Sequence, residues 1–432
     1  SKIAALRVIS RTSAMRLQGA NKSVQEIGRE LGVQAVIEGS VLRAGDTVRI
    51  TVQLIEANTD RHLWAENYDR QLSDILALYG EVTREVAQQV RVTLSDDEEA
   101  RIAASRRVDP KVYELYLEGR YLCDNWSPEE MKRGIALLQD VISREADNAS
   151  AHAQLALCLQ YSAFFGYERP LDVYSRAKAA AVTAVQLDDR LAEAHVATAG
   201  VYYYLELNPK AAQRELARAL ELNPRSVKAL LHSSWLLGES GQFEKAFEHN
   251  RRALGLDPLS IVVNHAVGQL FYLSRDYESA VVEYRKVLDM DRADPSLHFY
   301  LAWPLEQLGR YEEAIAHHEK AVELSGGSSL YRAGLAYALG MAGLHAEATE
   351  IRDALLEDSA AAPYDIALAH LGLGDYGQAI DWLEKAYEAR DSHVIYINRG
   401  PRFDPLRDDP RFIRLLQRID FPAGDEPLPT SG

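Results

Sequence analysis

The densest cluster of histidines, which could bind a metal ion or move a proton, is His317-His318-Glu319. The surrounding pattern predicts a helix, on which adjacent residues point about 100° apart. Two adjacent histidines therefore make a poor chelate, and the sequence predicts that this group lies on a solvated helix face. Further histidines stand alone on predicted helices and are expected to be packed or surface residues: His195, His232 and His265.

Sequence motifs that carry common chemistries are absent from the chain. It has no CxxC pair, no HExxH and no glycine-rich phosphate loop ending in Lys-Ser or Lys-Thr. Two acidic clusters, Asp96-Asp97-Glu98-Glu99 and Asp408-Asp409, stand near predicted helix starts, where the helix dipole favours negative charge. The sequence predicts no catalytic residues, no metal site and no cofactor, and hence a chain that is not an enzyme.

The length and net charge of the chain exclude some classes of protein. The 432 residues exceed one compact core, and the net charge of −16 argues against a nucleic-acid surface. No apolar run approaches the length of a membrane span, and residues 1–20 lack the apolar region of a secretory signal. Cys123 and Cys158 are expected to lie on neighbouring helices about 8–10 Å apart, as free buried thiols.

One interval of 34 residues organises most of the chain. Alanine recurs at that spacing, and all but the first follow a turn residue and then an aromatic or leucine: Ala212, Ala246, Ala280, Ala314 and Ala348. A small residue is needed where two helices cross closely, because a larger side chain would push the axes apart. A fixed period of this length is typical of stacked helix–turn–helix units. The alanines are therefore predicted to lie buried at helix crossings.

The repeated blocks, such as GQFEKAFEHNRRALGLDP and GRYEEAIAHHEKAVEL, resemble tetratricopeptide repeats. The terminal proline of that motif stands at Pro224 and Pro258, and later units depart from it at Arg292, Gly326 and Ala360. The resemblance implies a mainly α fold, a right-handed superhelical solenoid.

The first hundred residues follow a different pattern, which predicts a small α/β domain. LRVIS (6–10) is a short β-rich run, and Ser23-x-x-Glu26 opens a helix that ends at Gly32. Strands are predicted in VQAVIEGSVLRA, TVRITVQLI and HLWAENY, the first two joined by a turn at 45–46. A helix is predicted over 72–104.

The same stretch, ISRTSAM followed by KSVQEIGRELGVQAVIEGSVLRAGDTVRITVQLIEANTDRHLWAENYDR, resembles a TolB-like domain. That domain precedes tetratricopeptide arrays in bacterial class III adenylate cyclases, winged-helix regulators and protein kinases. The resemblance implies that an opening strand and most of a helix would precede Ser1, with SKIAA as that helix's end. It also implies that this chain is the carboxy-terminal portion of a longer protein, without its catalytic part.

These patterns predict five regions. A truncated TolB-like α/β domain covers 1–95, and a helical linker covers 96–109. About eight helix pairs form the array over 110–395. A segment that caps the last repeat follows over 396–422, and a disordered tail covers 423–432.

The first helix of each unit should line the concave side of such an array, where a peptide would bind. Placing the exact units in register collects aromatic and polar residues on that inner wall, and these are the predicted groove residues: Tyr204, Trp235, His265, Gln269, Tyr272, Phe299, Trp303 and Tyr337. Aromatic residues are enriched at binding sites because they offer large contact area at low entropic cost. The alternative is that these rings pack between helices.

Two functions of different class remain open at this point. The leading hypothesis is a non-catalytic regulatory or scaffold module that binds a protein or peptide partner in the groove. The alternative is an enzyme-associated fragment with a small-molecule site in the α/β domain. A basic carboxylate clamp is disfavoured, since the predicted wall is apolar and aromatic. The sequence also predicts a homodimer through residues 1–70, and a location in the cytoplasm or, behind a membrane span in the parent protein, the periplasm.

Overall fold

The computed structural model describes residues 6–44, 47–71, 75–90, 92, 95, 109–124 and 127–425. Several sequence predictions lie outside these ranges: the SKIAA segment, the turn at 45–46, the acidic run 96–99 with most of the linker, and the tail beyond 425.

The amino-terminal part contains three helices and a three-stranded sheet. Their bounds are α1 Arg11–Arg16, α2 Val24–Leu31, β1 Ala35–Ala44, β2 Thr47–Glu56, β3 Arg61–Gln71 and α3 Ile75–Gln89. Helix α2 begins at a capping box, in which Ser23 accepts the Glu26 N–H and Glu26 accepts the Ser23 N–H, and it ends at left-handed Gly32. The predicted boundaries of α2 are confirmed.

The sheet is antiparallel with the order β1-β2-β3. The predicted alternation of β2 is observed: Val48, Val52 and Leu54 are buried, while Arg49 is exposed. Helix α3 covers this face through Leu78. Strand β1 is the outer strand opposite β3, and its apolar side chains Ile37, Val41 and Leu42 are 54%, 68% and 67% exposed.

The prediction of a β-rich run over LRVIS was wrong. Residues 6–10 form no strand, and Ser10 instead caps α1 by accepting the Ser13 N–H. The Ser13 hydroxyl donates to Asp257 Oδ1 at 2.5 Å and accepts the Leu259 N–H at 2.8 Å, and Ser13 is fully buried. At the two ends of residues 6–10, the Leu6 carbonyl accepts from Arg225 and the Ser10 N–H donates to the Leu256 carbonyl at 2.7 Å, so this segment pairs with the helical array rather than with the sheet.

Eight antiparallel helix pairs occupy the described residues from 110 to 388. Pairs 1–4 comprise α4 Pro110–Asp124 with α5 Pro128–Arg144, α6 Ala149–Phe164 with α7 Pro170–Leu187, α8 Ala192–Gly200 with α9 Pro209–Leu222, and α10 Val227–Glu239 with α11 Phe243–Leu256. Pairs 5–8 comprise α12 Ile261–Leu273 with α13 Tyr277–Met290, α14 Pro295–Gln307 with α15 Tyr311–Leu324, α16 Ser329–Met341 with α17 His345–Glu357, and α18 Pro363–Gly372 with α19 Tyr376–Glu388. A π-helical turn, Val201–Leu205, extends α8.

The repeating alanines are buried, as the sequence predicted. Ala212, Ala246, Ala280, Ala314 and Ala348 are all 0% exposed. First helices of successive pairs contact each other side by side along the array, and each also packs on its own second helix. The first helices thus form a continuous inner wall, which a small side chain at each crossing permits.

The prediction of two free thiols was wrong. Cys123 of α4 and Cys158 of α6 form a disulfide, with their Cα atoms 5.5 Å apart. The two residues do lie on neighbouring first helices, but the prediction used the distance between helix axes. Facing Cα atoms stand closer than the axes, each by up to the helix radius of about 2.3 Å. Gly134 leaves room for the Cys123 sulfur, since a Cβ there would meet Sγ at 2.7 Å.

After pair 8 the chain contains two 3₁₀ helices, Ser392–Ile397 and Pro401–Leu406, and a last helix, α20 Pro410–Ile419. Helix α20 packs beside α19, where Arg411 pairs with Asp381 at 2.9 Å. We refer to residues 391–424 as the C-terminal segment.

Candidate binding groove and its inner cavity

The C-terminal segment lies along the inner wall rather than only at its end. It begins near pair 3, where the Ser392 hydroxyl donates to the Tyr204 carbonyl at 3.1 Å. It continues past pair 4, where the Asn398 amide donates to the Glu239 carbonyl. It ends against the same pair, where Gln242 donates to the Ala423 carbonyl at 3.0 Å. A stretch of the chain built from two short 3₁₀ helices and helix α20 therefore occupies the surface on which a peptide was predicted to bind.

A buried ion pair fixes the centre of this contact. Arg402 donates to both carboxylate oxygens of Glu306 on α14, each at 2.7 Å, and the two side chains are 2% and 1% exposed. His318 of α15 lies 2.8 Å from the same carboxylate. Planar two-point pairing of this kind suits a guanidinium and compensates for removing both charges from water.

Aromatic rings surround the Arg402 guanidinium. It lies 4.7 Å from the ring centres of Trp303 and of Tyr337, and 5.8 Å from that of Phe299. Tyr396 of the C-terminal segment packs edge-on against Trp303 at 5.5 Å. The electron-rich faces of these rings attract the cation, most strongly where water is excluded.

The start of the segment joins distant parts of the array. His393 stacks between Phe164 of pair 2, at 4.8 Å, and Tyr364 of pair 8, at 5.4 Å. Arg390, just before the segment, donates to the Leu205 carbonyl of pair 3 at 2.7 Å. The segment and its flank therefore connect the last helix pair to the second and third across the inner side.

Glu239 is a second buried acid at this interface, 1% exposed at the end of α10. Burial raises its pKa to about 8, even though the positive charges of Arg399, Arg275 and Arg407 act in the opposite direction. The carboxyl is therefore largely protonated near neutral pH.

The predicted groove residues divide into two groups. Most are less than 5% exposed, inside the aromatic cluster or beside it: Tyr204, Gln269, Tyr272, Phe299, Trp303 and Tyr337. Trp235 and His265 are only partly buried, and together with Tyr204 and Gln269 they line a cavity on the inner side. Trp303 thus packs between helices and the segment, while Trp235 borders open space.

The prediction of a solvated face at His317-His318-Glu319 was wrong for both histidines. His318 is fully buried against Glu306, and His317 is half-buried with its Nδ1 2.9 Å from that of His298. Burial lowers the pKa of His317 to about 4. The sequence could not reveal the partner of His318, because Glu306 and Arg402 come from other elements.

The isolated histidines are packed residues, as the sequence predicted. His195 Nδ1 lies 2.7 Å from a Glu215 oxygen, and His232 Nε2 lies 2.9 Å from the Tyr161 hydroxyl. Burial lowers the pKa of His232 to about 3 and that of His265 to about 4, so both rings are neutral at pH 7.

A search of the described ranges finds no cluster of three or more His, Cys, Asp or Glu side chains placed to hold a metal ion. Nor does any helix within them combine the length and apolar character needed to cross a membrane.

Comparison with known families assigns the repeats. The tetratricopeptide repeat family matches residues 198–261 and 267–329, and a second description of the same repeat matches 361–393. The helix pairs in these matched residues are tetratricopeptide repeats. The three matches cover pairs 3–6 and pair 8, in agreement with the 34-residue alanine interval. Tetratricopeptide arrays are typically non-catalytic scaffolds that bind proteins or peptides.

One curated relative is a putative adenylate cyclase 3 from Rhizobium meliloti (strain 1021). It is 38% identical over 157 residues, which is 36% of this chain and 27% of the relative. The match therefore spans about a quarter of that protein.

Partial similarity to solved structures is found at low identity. The pilF protein of Pseudomonas aeruginosa is 21% identical with a TM-score of 0.37, over 49% of this chain and 92% of that one. A monomeric mutant of IFIT1 is 16% identical with a TM-score of 0.46, over 81% of this chain and 80% of that one.

Proposed function

We propose that this chain is a non-catalytic, peptide- or protein-binding regulatory module of a larger bacterial signalling protein of the adenylate cyclase or transcription-regulator kind. In this proposal residues 1–95 form the truncated TolB-like domain, 96–109 the linker and 110–395 the binding array. The partial similarity to a putative adenylate cyclase supports the assignment to a larger signalling protein. Tetratricopeptide repeats usually bind proteins, which supports a binding role for this chain.

The observation that carries the proposal is the contact between the inner wall and the C-terminal segment. The wall accepts arginine, tyrosine and asparagine side chains of this segment and pairs with them through Glu306, Trp303 and the Glu239 carbonyl. A groove that binds peptides must supply such contacts. We therefore propose the eight predicted residues as part of the binding surface, with the C-terminal segment as its resident occupant.

A partner that uses this surface has to displace part of the segment. Its apparent affinity is then its intrinsic affinity multiplied by the fraction of molecules with the segment released. Peripheral contacts of the segment are the first to open, such as the exposed pair between Lys210 and Asp420 at 2.7 Å. Changes that loosen the segment should therefore strengthen partner binding.

A selection from a phage-displayed library of linear peptides on the full chain tests the proposal. An enriched peptide, labelled and followed by fluorescence anisotropy, should bind Trp235→Ala at least about five-fold more weakly than the parent, because Trp235 borders open space on the inner side. Asn398→Ala, which removes one contact of the segment, should strengthen binding. The matched control is Trp382→Ala, because Trp382 lies on α19 with Lys385 over its ring, away from the aromatic cluster.

Folding of each variant is checked by circular dichroism before binding is compared. A peptide that binds folded Trp235→Ala and Asn398→Ala as it binds the parent would place the binding surface elsewhere. Hydrolysis or cyclisation of ATP by the purified chain would contradict the non-catalytic assignment.

We also infer that the chain self-associates through residues 1–70. Strand β1 has β2 on one side, and apolar side chains on it are exposed, most of all Val41 and Leu42. Exposed strand edges invite pairing with another chain, and two copies related by a two-fold axis satisfy such an edge most simply.

A further inference from the structure

A cavity of about 70 Å³ lies on the inner side of the array, between the first helices of pairs 2–6 and the C-terminal segment. A single water molecule needs about 10–15 Å³, whereas small-molecule sites typically measure about 300–1,000 Å³. The cavity is therefore too small for a metabolite of ordinary size, but it has room for one amino-acid side chain of a few carbon atoms.

The wall of this cavity is aromatic and aliphatic, with contributions from the array and from the segment: Tyr161, Phe164, Trp235, Val262 and Tyr396. The indole nitrogen of Trp235 is buried beneath this surface, as are Nε2 of His265 and the hydroxyl oxygen of Tyr203. An occupant therefore meets mainly carbon atoms. Burial against such a wall favours an apolar side chain over a polar one.

An interrupted helix shapes one side of this cavity. The Gln160 side chain donates to the Ala197 carbonyl at 2.8 Å, and a Cβ at Gly200 would lie only 1.9 Å from the Gln160 oxygen. The next residues form the π-helical turn, which carries Tyr203 and Tyr204 into the cavity wall. Side chains that insert into a helix cause such interruptions, and π turns occur frequently at functional sites.

The mouth of the cavity carries negative charge. Asp294 lines it and is partly exposed, and Oδ1 of this residue accepts the Ser296 N–H and hydroxyl, at 2.8 and 2.7 Å. Among the described residues that line the cavity, none is a lysine or an arginine. The lining therefore offers a carboxylate and no positive charge to offset it.

A second carboxylate lies near the same mouth. Tyr167 stacks on Phe165 of the cavity wall, with the ring centres 5.8 Å apart. Burial raises the pKa of Tyr167, and the charges of Asp294 and Glu129 raise it further, so both carboxylates act at this place. Glu129 is exposed on α5. A ligand that brings a positive charge to the mouth is attracted, and one that brings a negative charge is repelled.

On the basis of the proposed function, we propose that this cavity receives an apolar side chain of about the size of leucine from the partner peptide, with a lysine or arginine next to it at Asp294. An apolar anchor in a pocket, surrounded by a polar rim, is the common arrangement at the centre of protein interfaces. Ile395 and Tyr396 of the segment form part of the wall, so the anchor enters while the segment is in place. Displacement of the segment's peripheral contacts can follow.

Three peptides test the proposal on the full chain: N-acetylated, amidated Gly-Ser-Lys-Leu-Lys-Ser-Gly, the same peptide with alanine for leucine, and the same peptide with glutamate for both lysines. Titrations followed by saturation-transfer difference NMR should show saturable binding of the leucine peptide. It should bind at least about ten-fold more tightly than the alanine peptide, because leucine buries three more carbon atoms. The glutamate peptide should bind about five-fold more weakly than the lysine peptide.

Two variants locate the contact, each with a matched control, and circular dichroism checks that they fold. Val262→Trp fills the cavity and should abolish binding of the leucine peptide, whereas Val282→Trp should not, since Val282 is exposed on α13 and outside the lining. Asp294→Asn keeps the helix cap without the charge, so it should lose most of the preference for lysine over glutamate. Asp291→Asn is its control, because Asp291 also accepts a backbone N–H, from Ala293 at 3.0 Å, and lies outside the lining.

Absence of saturable binding of the leucine peptide to the parent overturns the proposal. So does equal binding of the leucine and alanine peptides, undiminished binding by folded Val262→Trp, or a preference for lysine that is unchanged in folded Asp294→Asn. The phage selection separates these outcomes from failure of the proposed function. If the leucine peptide fails but an enriched peptide binds Trp235→Ala more weakly than the parent, only the anchor site is lost. A selection that enriches no peptide tells against the binding function itself.

Discussion

Arg402 and Glu306 form a two-point ion pair, with both nitrogen–oxygen distances 2.7 Å, although 96 residues separate them in the chain. The pair joins the C-terminal segment to the middle of the array and lies out of contact with water. Removing either partner would leave the other charge buried without compensation, so the pair holds the segment in place.

Removing the cation should destabilise the whole fold. Arg402→Ala leaves the Glu306 carboxylate buried without its main partner, which typically costs about 3–5 kcal/mol. Urea unfolding measures the change in free energy. The control is Arg144→Ala, which breaks an exposed pair with Asp140 on α5 and should cost less than about 1 kcal/mol. Equal and small losses in both variants would show that the segment does not depend on this pair.

Glu239 should make stability depend on pH. Its pKa of about 8 in the folded chain lies above the ordinary value of 4.5, so the folded state holds a proton that the unfolded state has lost. Stability from this group therefore falls as pH rises between about 4.5 and 8, by at most about 1.4 kcal/mol per pH unit. Glu239→Gln stays neutral, so its unfolding free energy relative to the parent should rise from pH 6 to about pH 8. Parallel pH profiles for the two proteins would contradict this.

The helix crossings should not tolerate larger side chains. Ala280 is 0% exposed on α13, so Ala280→Leu should overpack the crossing and cost about 1–3 kcal/mol. Val282→Leu on the same helix is the control, because Val282 is 52% exposed and has room for the change. If Ala280→Leu and Val282→Leu unfold at the same temperature, Ala280 does not lie at a helix crossing and the 34-residue register is wrong.

Self-association should depend on strand β1. We expect light scattering on the full chain to give a dimer mass, and Val41→Lys to shift it to the monomer, because a charge on an edge strand opposes pairing. Leu171→Lys is the control, since Leu171 is similarly exposed, at 54%, but lies on α7. A parent chain that is monomeric at micromolar concentrations would refute the proposed dimer. A dimer unaffected by Val41→Lys would show that strand β1 does not form its interface.

The sequence alone determined the local and periodic features of this protein. The capping box at Ser23 and Glu26, the alternation along β2 and the buried alanines at each interval of 34 all follow from neighbours within one element or one repeat. Such patterns depend on helix and strand geometry, which a short stretch of chain already specifies.

Only the tertiary structure decided what fills the inner side of the array. Arg402 pairs with Glu306 and Ser13 with Asp257 across separations that the repeat pattern does not relate. The contacts of the C-terminal segment depend on how far the solenoid curves, which brings the last helix pair near the second and third. Small rotations between successive pairs accumulate into that curvature, and no single repeat encodes their sum.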